Sequence, residues 1–342
     1  MKISFKNDYS EGAHPAILEA LLQTNLVQQA GYGLDTYSEQ AKQLIRERIN
    51  APKAEVFFIS GGTQANMLVL GYVLRPYESI IACETAHITD NEAGAIEAVG
   101  HKIHLAPSVN GKLTVEAVRN YATRYTNFPH QVQPRLVYIT QSTEVGSIYS
   151  LKELKALYAC CQELGLLLYM DGARLAQGLN NEQNDIQWED LARYTDIFYI
   201  GATKNGGLLG EAIVFCRPKL AENFSCYIKQ KGALLSKGRL LGLQFLTLFQ
   251  NNLYNELGWH ANAQMKRIKE AFLEKNIPFL SDTCTNQLFP ILTNAQITFL
   301  AKDFDFYQWQ KIDETHTAIR LITSWATTNE QIETLLSAIK KI

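Results

Sequence analysis

Short apolar runs that end abruptly in polar residues recur through the middle of the chain. They are Glu55–Ile59, Ser79–Cys83, Lys102–Leu105, Leu136–Thr140, Leu166–Met170, Asp196–Ile200 and Ala212–Phe215. Rich in β-branched and aromatic residues and too short for buried helices, they predict strands covered on both faces. Helical patterns fall between them, at 38–49 and at Gln64–Leu74. A third is amphipathic: Ser150 caps it, Leu151, Leu154, Tyr158 and Cys161 line one side, and Gly165 stops it. Strand and helix alternate from residue 36 to residue 215, which predicts an α/β fold with a largely parallel, doubly wound sheet of seven strands.

The pattern changes near residue 237. Arg239–Phe249 is apolar almost all round, as in a core or interface helix. A charged helix follows near 260–275, then short strands around Phe289–Leu292 and Ala318–Thr323, and a final helix capped near Asn329. The expected division is a large α/β domain with its N-terminal arm over 1–240 and a smaller α+β domain over 241–342. Residues 1–35 read as an arm rather than a packed unit. Within it, Pro15 opens a short helix with Ile17, Leu18, Leu21 and Leu22 on one face, and Gln28–Asp35 is a glycine-punctuated loop exposing Tyr32.

Composition adds mainly exclusions. With 46% hydrophobic and 19% charged residues and a net charge of −2, the 342-residue chain has the makeup of a soluble globular protein. Its basic residues are scattered, so no nucleic-acid footprint is expected. No run approaches the ~18 apolar residues of a membrane span. The N-terminus lacks the apolar stretch of a signal peptide. The six cysteines form no C-x-x-C pair and read as reduced thiols of a cytoplasmic protein. Neither H-E-x-x-H nor G-x-S-x-G occurs, and no cysteine stands beside a candidate histidine, so no metal site is expected.

The chemistry lies where the strands end. Leu166–Met170 delivers Asp171, with Arg174 one short turn later, and Asp196–Ile200 leads to Lys204 and then Asn205-Gly-Gly. Ligands of open α/β sheets sit at such carboxyl ends. A lysine and a carboxylate on neighbouring strand ends meet the needs of pyridoxal phosphate, which takes a covalent bond from the amine and an acid at its ring nitrogen. An ordinary ion pair at a sheet edge is the simpler alternative. Ser60-Gly-Gly-Thr63 lies between a strand and a helix, where free N–H groups bind phosphate. It is neither a Walker A loop nor a dinucleotide fingerprint. His87 follows the strand at 79–83 and either stacks on a cofactor ring or is a surface loop histidine. Glu144 follows the strand at 136–140, and Arg174 and Arg320 have the forked donors that grip carboxylates. In the apolar strand Ala318–Thr323 an unpaired Arg320 would be costly, so it needs either a ligand carboxylate or a structural salt bridge.

On these residues the chain resembles the low-specificity L-threonine aldolases of the β-eliminating lyase group, within the fold-type I, aspartate-aminotransferase-like pyridoxal phosphate enzymes. The likeness runs through Asn7-Asp8, Gly61–Asn66, His87 with Glu92–Ala95, Asp171–Arg174, Thr203-Lys204 and Arg320–Thr323. The resemblance implies that Lys204 carries pyridoxal phosphate, Asp171 faces its ring nitrogen and His87 stacks on the ring. Gly62, Thr63 and Gln64 would hold the phosphate, and Asn7, Tyr32, Arg174 and Arg320 the substrate. It also implies a homodimer or homotetramer with shared active sites. The implied reaction cleaves L-threonine- or L-allo-threonine-type β-hydroxy-α-amino acids to glycine and an aldehyde.

Three departures stand out. Asn7 replaces the family's usual serine, and Glu144 replaces a histidine near the β-hydroxyl. Lys237 is the nearest cation in Gly232–Gly238, where an arginine is usual. Glu144 is therefore read either as the base for the β-hydroxyl or as a hydrogen-bond partner of His87 or a loop amide. The main rival is β-elimination from an aromatic amino acid, which needs an acid at Cγ that the sequence does not offer. A transaminase and a non-catalytic cofactor-binding regulator are the remaining alternatives.

Overall fold

A computed structural model describes residues 2–342. Its main sheet holds seven strands: β1 (Glu55–Ile59), β2 (Glu78–Cys83), β3 (Ile103–Ala106), β4 (Gln133–Thr140), β5 (Leu167–Asp171), β6 (Ile197–Gly201) and β7 (Glu211–Phe215). They lie in the order β1-β7-β6-β5-β4-β2-β3. Neighbours from β6 through β3 pair in parallel, whereas β7 runs antiparallel to both β1 and β6. Loop length accounts for the exception. Residues 202–210 are too few for the crossover of a dozen or more that a parallel connection requires. The chain turns back at the carboxyl edge of the sheet, so Lys204 sits in the turn and Glu211 begins the returning strand. Every residue of β5, β6 and β7 is buried, which explains their unbroken apolar patterns.

The helix Leu151–Glu163 starts as its sequence predicts. Ser150 and Glu153 form a reciprocal capping box. Its buried side is Leu154, Leu157, Cys160 and Cys161. Tyr158 instead accepts a hydrogen bond from Arg217 at the surface, 2.8 Å away.

Two hydrophobic cores organise the molecule. The larger packs the seven-stranded sheet against its helices and includes Leu243, Phe245, Leu246, Leu248 and Phe249 of Arg239–Phe249. The smaller gathers Met265, Ile268 and Phe272 from the helix Leu253–Glu274 with Leu288, Leu292, Ile319, Leu321 and Leu335. Its sheet contains β8 (Gln287–Leu288), β9 (Ile291–Thr293), β10 (Tyr307–Lys311) and β11 (His316–Ile322), with β11 pairing antiparallel to the other three.

The N-terminal stretch is not a free arm. Ile3–Ser4 pairs in parallel with Phe304–Asp305, and Phe5 is buried in the smaller core. Pro15 does open a helix, Pro15–Thr24. The last helix, Asn329–Ile339, is capped by the adjacent Thr328, its side chain accepting from the Gln331 N–H. Among the described residues no helix is long and apolar enough to cross a membrane.

Candidate active site

Strand β5 delivers Asp171 to the sheet edge because Gly172 follows it. A Cβ at that position would lie 1.9 Å from the Tyr199 carbonyl oxygen, so only glycine lets the chain pass beneath β6. The Asp171 carboxylate is 4% exposed and engaged at both oxygens. Oδ1 accepts the Ala173 N–H at 2.9 Å. Oδ2 accepts the Tyr138 hydroxyl at 2.5 Å and the Asn66 amide at 3.2 Å. Asn66 also donates to Glu92 Oε1 at 2.7 Å and accepts the Tyr169 hydroxyl at 2.9 Å. Glu92 Oε1 in turn meets His87 Nδ1 at 2.8 Å. Half-buried His87 and buried Glu92, Asn66, Asp171 and Tyr138 are thus one network. The acid that bonds His87 is Glu92, not Glu144. Burial alone would lower the His87 pKa; the Glu92 hydrogen bond together with the Glu144 and Asp171 charges outweighs it and holds the imidazole above its ordinary value.

Lys204 projects from the 202–210 turn, which is tied down around it. Asn205 donates to the Tyr254 carbonyl at 2.8 Å, and the Gly207 N–H to the Ala202 carbonyl at 2.8 Å. Burial, and then the Arg174 charge, lower the Lys204 pKa; Asp8, Glu144 and Asp171 oppose this without reversing it. The result is an amine easier to deprotonate than a surface lysine, as a nucleophile requires.

The two arginines differ. Arg174 Nε lies 2.8 Å from Asp8 Oδ2 and Nη2 lies 3.2 Å from Asp8 Oδ1. Asp8 Oδ2 also accepts the Asn286 amide at 2.9 Å, and both members of the pair are buried. Burial would raise the Asp8 pKa, but Arg174 and Lys204 bring it below its ordinary value. Arg320 forms no salt bridge among the described residues, and its Nε is buried without an acceptor. Its guanidinium instead lies 4.6 Å from the ring centre of Trp309 and 5.1 Å from that of Tyr307. Tyr307 stands opposite Arg320 in the β10–β11 ladder, and a register shift between Gln308 and Gln310 makes Trp309 the extra residue. Bulges of this kind re-aim side chains beside active sites. Aromatic faces attract a cation without neutralising it, so the Arg320 charge stays uncompensated. Glu144 is partly buried and, among the described residues, makes no hydrogen bond or ion pair. Its charge nonetheless acts on His87, Lys204, Arg174 and Arg320.

The remaining candidates divide. The helix Gly62–Val73 has no side-chain cap at its N-terminus, so its first N–H groups remain open to an anion. A Cβ on Gly61 would meet open space, whereas one on Gly62 would lie 3.1 Å from the Tyr199 hydroxyl. Thr63 is exposed. Gln64 Oε1 accepts the Ser60 N–H at 3.2 Å and the Ser60 hydroxyl at 2.9 Å. Asn7 Oδ1 is occupied by the Tyr9 N–H at 3.0 Å and the Ser10 hydroxyl at 2.9 Å. Tyr32 and Lys237 do not join this cluster. The Tyr32 N–H donates to the Ser236 carbonyl at 3.1 Å, its ring lies 4.5 Å from the Lys229 amine, and Lys237 is exposed.

Residues 6–294 match the family model for beta-eliminating lyases. The chain belongs to the β-eliminating lyase family. Low-specificity L-threonine aldolase of Pseudomonas aeruginosa is 34% identical over 345 residues, covering 99% of this chain and 97% of that one. The enzyme of that name from a Pseudomonas species is 38% identical over 75% of each chain. A solved structure of Leishmania major threonine aldolase, 44% identical, matches with a TM-score of 0.97 over 99% of both chains. Aspartate aminotransferase from Thermus thermophilus matches with a TM-score of 0.73 at 12% identity, a likeness of fold alone. The architecture is that of the fold-type I, aspartate-aminotransferase-like α/β proteins.

Within this β-eliminating lyase site, several residues escape sequence reading. Asp8, Asn66 and Glu92 lie inside segments that carry the family likeness, but nothing in their types announces their partners. Tyr307, Trp309 and Glu211 lie outside those segments.

Proposed function

We propose that the chain is a pyridoxal-phosphate-dependent carbon–carbon lyase that cleaves β-hydroxy-α-amino acids of the L-threonine and L-allo-threonine type to glycine and an aldehyde. One observation carries the reading: Lys204, its pKa lowered by burial and by Arg174, shares the sheet edge with a fully bonded Asp171, and Arg320 from the smaller sheet, its Nε without an acceptor, lies within range of the same Arg174 charge. These groups fit the cofactor. Lys204 would hold it covalently, Asp171 would face its ring nitrogen, and His87 would stack on the ring. The N–H groups at Gly62 and Thr63, assisted by Gln64, would hold its phosphate. When bound, pyridoxal phosphate supplies an electron sink for the charge left on Cα.

The chain's own residues supply the rest. Arg320, with the Asn7 amide, holds the substrate carboxylate and so fixes which bond at Cα breaks, while Arg174, gripped by Asp8, shapes the site around it. Glu144 takes the β-hydroxyl proton, the Cα–Cβ bond cleaves, and the aldehyde leaves. A proton returned to Cα completes glycine.

The protein acts as a homodimer or homotetramer with shared sites. Leu22, Leu26 and Leu34 are 78%, 92% and 71% exposed on the lobe that carries Tyr32, an apolar surface suited to a second copy. Tyr32 and Lys237 would then serve the neighbour's site rather than their own. The six free cysteines support a reducing, cytoplasmic setting.

The test is to load the protein with pyridoxal phosphate, reduce it with borohydride and map the adduct. The adduct should lie on Lys204, and unreduced enzyme should convert L-threonine to glycine and acetaldehyde. Labelling of another lysine removes the site assignment. Labelling of Lys204 without glycine from L-threonine, L-allo-threonine or phenylserine removes the lyase reading.

A further inference from the structure

A second buried acid of the site has no part in the steps above. Glu92 follows the short helix His87–Asp90, and its side chain has no exposed surface. The backbone bends sharply beside it. Ala93 and Gly94 take φ of +51° and +72°, and for the alanine this left-handed conformation is a cost that the surrounding structure must hold. Glu92 Oε1 meets His87 Nδ1 at 2.8 Å and accepts the Asn66 amide at 2.7 Å. Oε2 is buried without a partner. Among the described residues, His87 is the one group in salt-bridge reach of Glu92.

Asn66 does not need this charge. Its amide also donates to Asp171 Oδ2 at 3.2 Å, and its carbonyl oxygen accepts the Tyr169 hydroxyl at 2.9 Å. A neutral amide at position 92 would accept the same Asn66 donor. His87 does need it. A ring nitrogen bonded to a carboxylate carries the proton, so Glu92 fixes both the orientation of the imidazole and the proton on Nδ1. The other charged groups that act on His87 are Glu144, Asp171 and Lys204, and the phenols that feel Glu92 are those of Tyr138 and Tyr169.

We propose that Glu92 is a positioning residue that holds the His87 ring by Nδ1 in the place where it stacks on the cofactor, so that cofactor affinity and the His87 proton both depend on this one carboxylate. Glu92 has no surface to offer substrate or cofactor and acts through His87. The inference rests on the functional reading above, in which His87 faces the ring of pyridoxal phosphate.

Glu92→Gln separates charge from structure, because the glutamine oxygen can accept from both donors while its nitrogen takes the place of the unpartnered Oε2. The first readout is the pH dependence of deuterium exchange at the His87 ring carbon between the two nitrogens. It is followed in the cofactor-free protein, on the His87 peptide, by mass spectrometry. In the unaltered protein the midpoint should lie above the ordinary 6.5, and in Glu92→Gln it should fall by about one pH unit, the low end of what a neighbouring charge exerts. The second readout is the dissociation constant for pyridoxal phosphate, which should rise roughly 2- to 12-fold, the worth of one aromatic stack. That rise should vanish when Glu92→Gln is made in a His87→Ala background. An unchanged midpoint or an unchanged dissociation constant overturns the proposal. So does a rise that persists without His87, which would show Glu92 acting through Asn66 and Asp171. If Glu92→Gln does not fold, Glu92→Asp, which retracts the charge by one carbon, is judged by the same criteria with a smaller fall in the midpoint. Borohydride labelling of a lysine other than Lys204 would instead overturn the functional reading, and the His87 midpoint, taken without cofactor, tells the two failures apart.

Discussion

Arg174 and Arg320 come from the two halves of the molecule and lie within range of each other's charge, yet among the described residues only Arg174 is held in a salt bridge. On the large-domain side, Asp8 returns from the N-terminal segment to grip Arg174 through two donors, and Asn286 braces the carboxylate. On the small-domain side, Arg320 lies against two aromatic faces with a buried Nε that bonds nothing. A buried ion pair is self-contained, and removing one member exposes the cost of the other. A half-buried cation whose Nε is buried without an acceptor is an incomplete structure. The difference divides the labour: Arg174 shapes the site, and Arg320 waits for a carboxylate from outside.

The comparison would break first at Glu144, the acid whose charge acts on both arginines while pairing with neither. As the base for the β-hydroxyl, it should make Glu144→Gln lower kcat by roughly 10²–10⁴ with cofactor affinity unchanged. Steady-state kinetics and a cofactor titration distinguish this from a counter-ion role, in which KM would rise and kcat would hold. Next comes Arg174→Leu, which strands Asp8 in the interior. Chemical denaturation should show a loss of about 3–5 kcal/mol; a neutral result would mean that Asp8 finds another partner or water. Trp309→Leu opens one side of the aromatic clamp. A cation–π contact is worth about 0.5–2 kcal/mol, so KM should rise by roughly 2- to 30-fold while kcat changes little.

The smallest expected effect is in acid. The Asp8 pKa lies below its ordinary 3.8, so its contribution to stability is fully present above that value and is lost as pH falls through the folded-state pKa. Thermal melts of Asp8→Asn should therefore lose less on acidification below pH 3.8 than those of the unaltered protein. Parallel curves would show that the pair adds nothing to stability.

What the sequence made legible follows from burial. Strands β5 and β6 are covered on both faces, so they read as unbroken apolar runs whose polar ends mark the sheet edge, and Asp171 and Lys204 stand where that reading puts them. The Ser150 cap was legible because its signal is local. Asp8 and Arg174 are 166 positions apart, and no local pattern announces a pair that only the fold closes. Strand β10 is exposed at all five positions, so it shows no alternation, and the clamp of Tyr307 and Trp309 went unread with it. Ile3–Ser4 is a two-residue strand whose partner lies at Phe304–Asp305, so the first segment looked like an arm. For Glu144, position at the edge was readable but partnership was not: the bond to His87 belongs to Glu92, which sits in the motif Glu92–Ala95 without a signal of its role.

The central claim is that the substrate carboxylate is the anion Arg320 lacks. The direct measurement is kcat/KM for L-threonine and for its methyl ester, in the unaltered protein and in Arg320→Leu. Truncating one member of a desolvated charge pair costs about 2–5 kcal/mol, so the unaltered protein should prefer the free acid by roughly 30- to 5 × 10³-fold. In Arg320→Leu that preference should vanish, chiefly through loss of activity on the acid, while the melting temperature holds or rises. A variant that still prefers the acid by the same factor would contradict the claim and move the carboxylate site to Arg174.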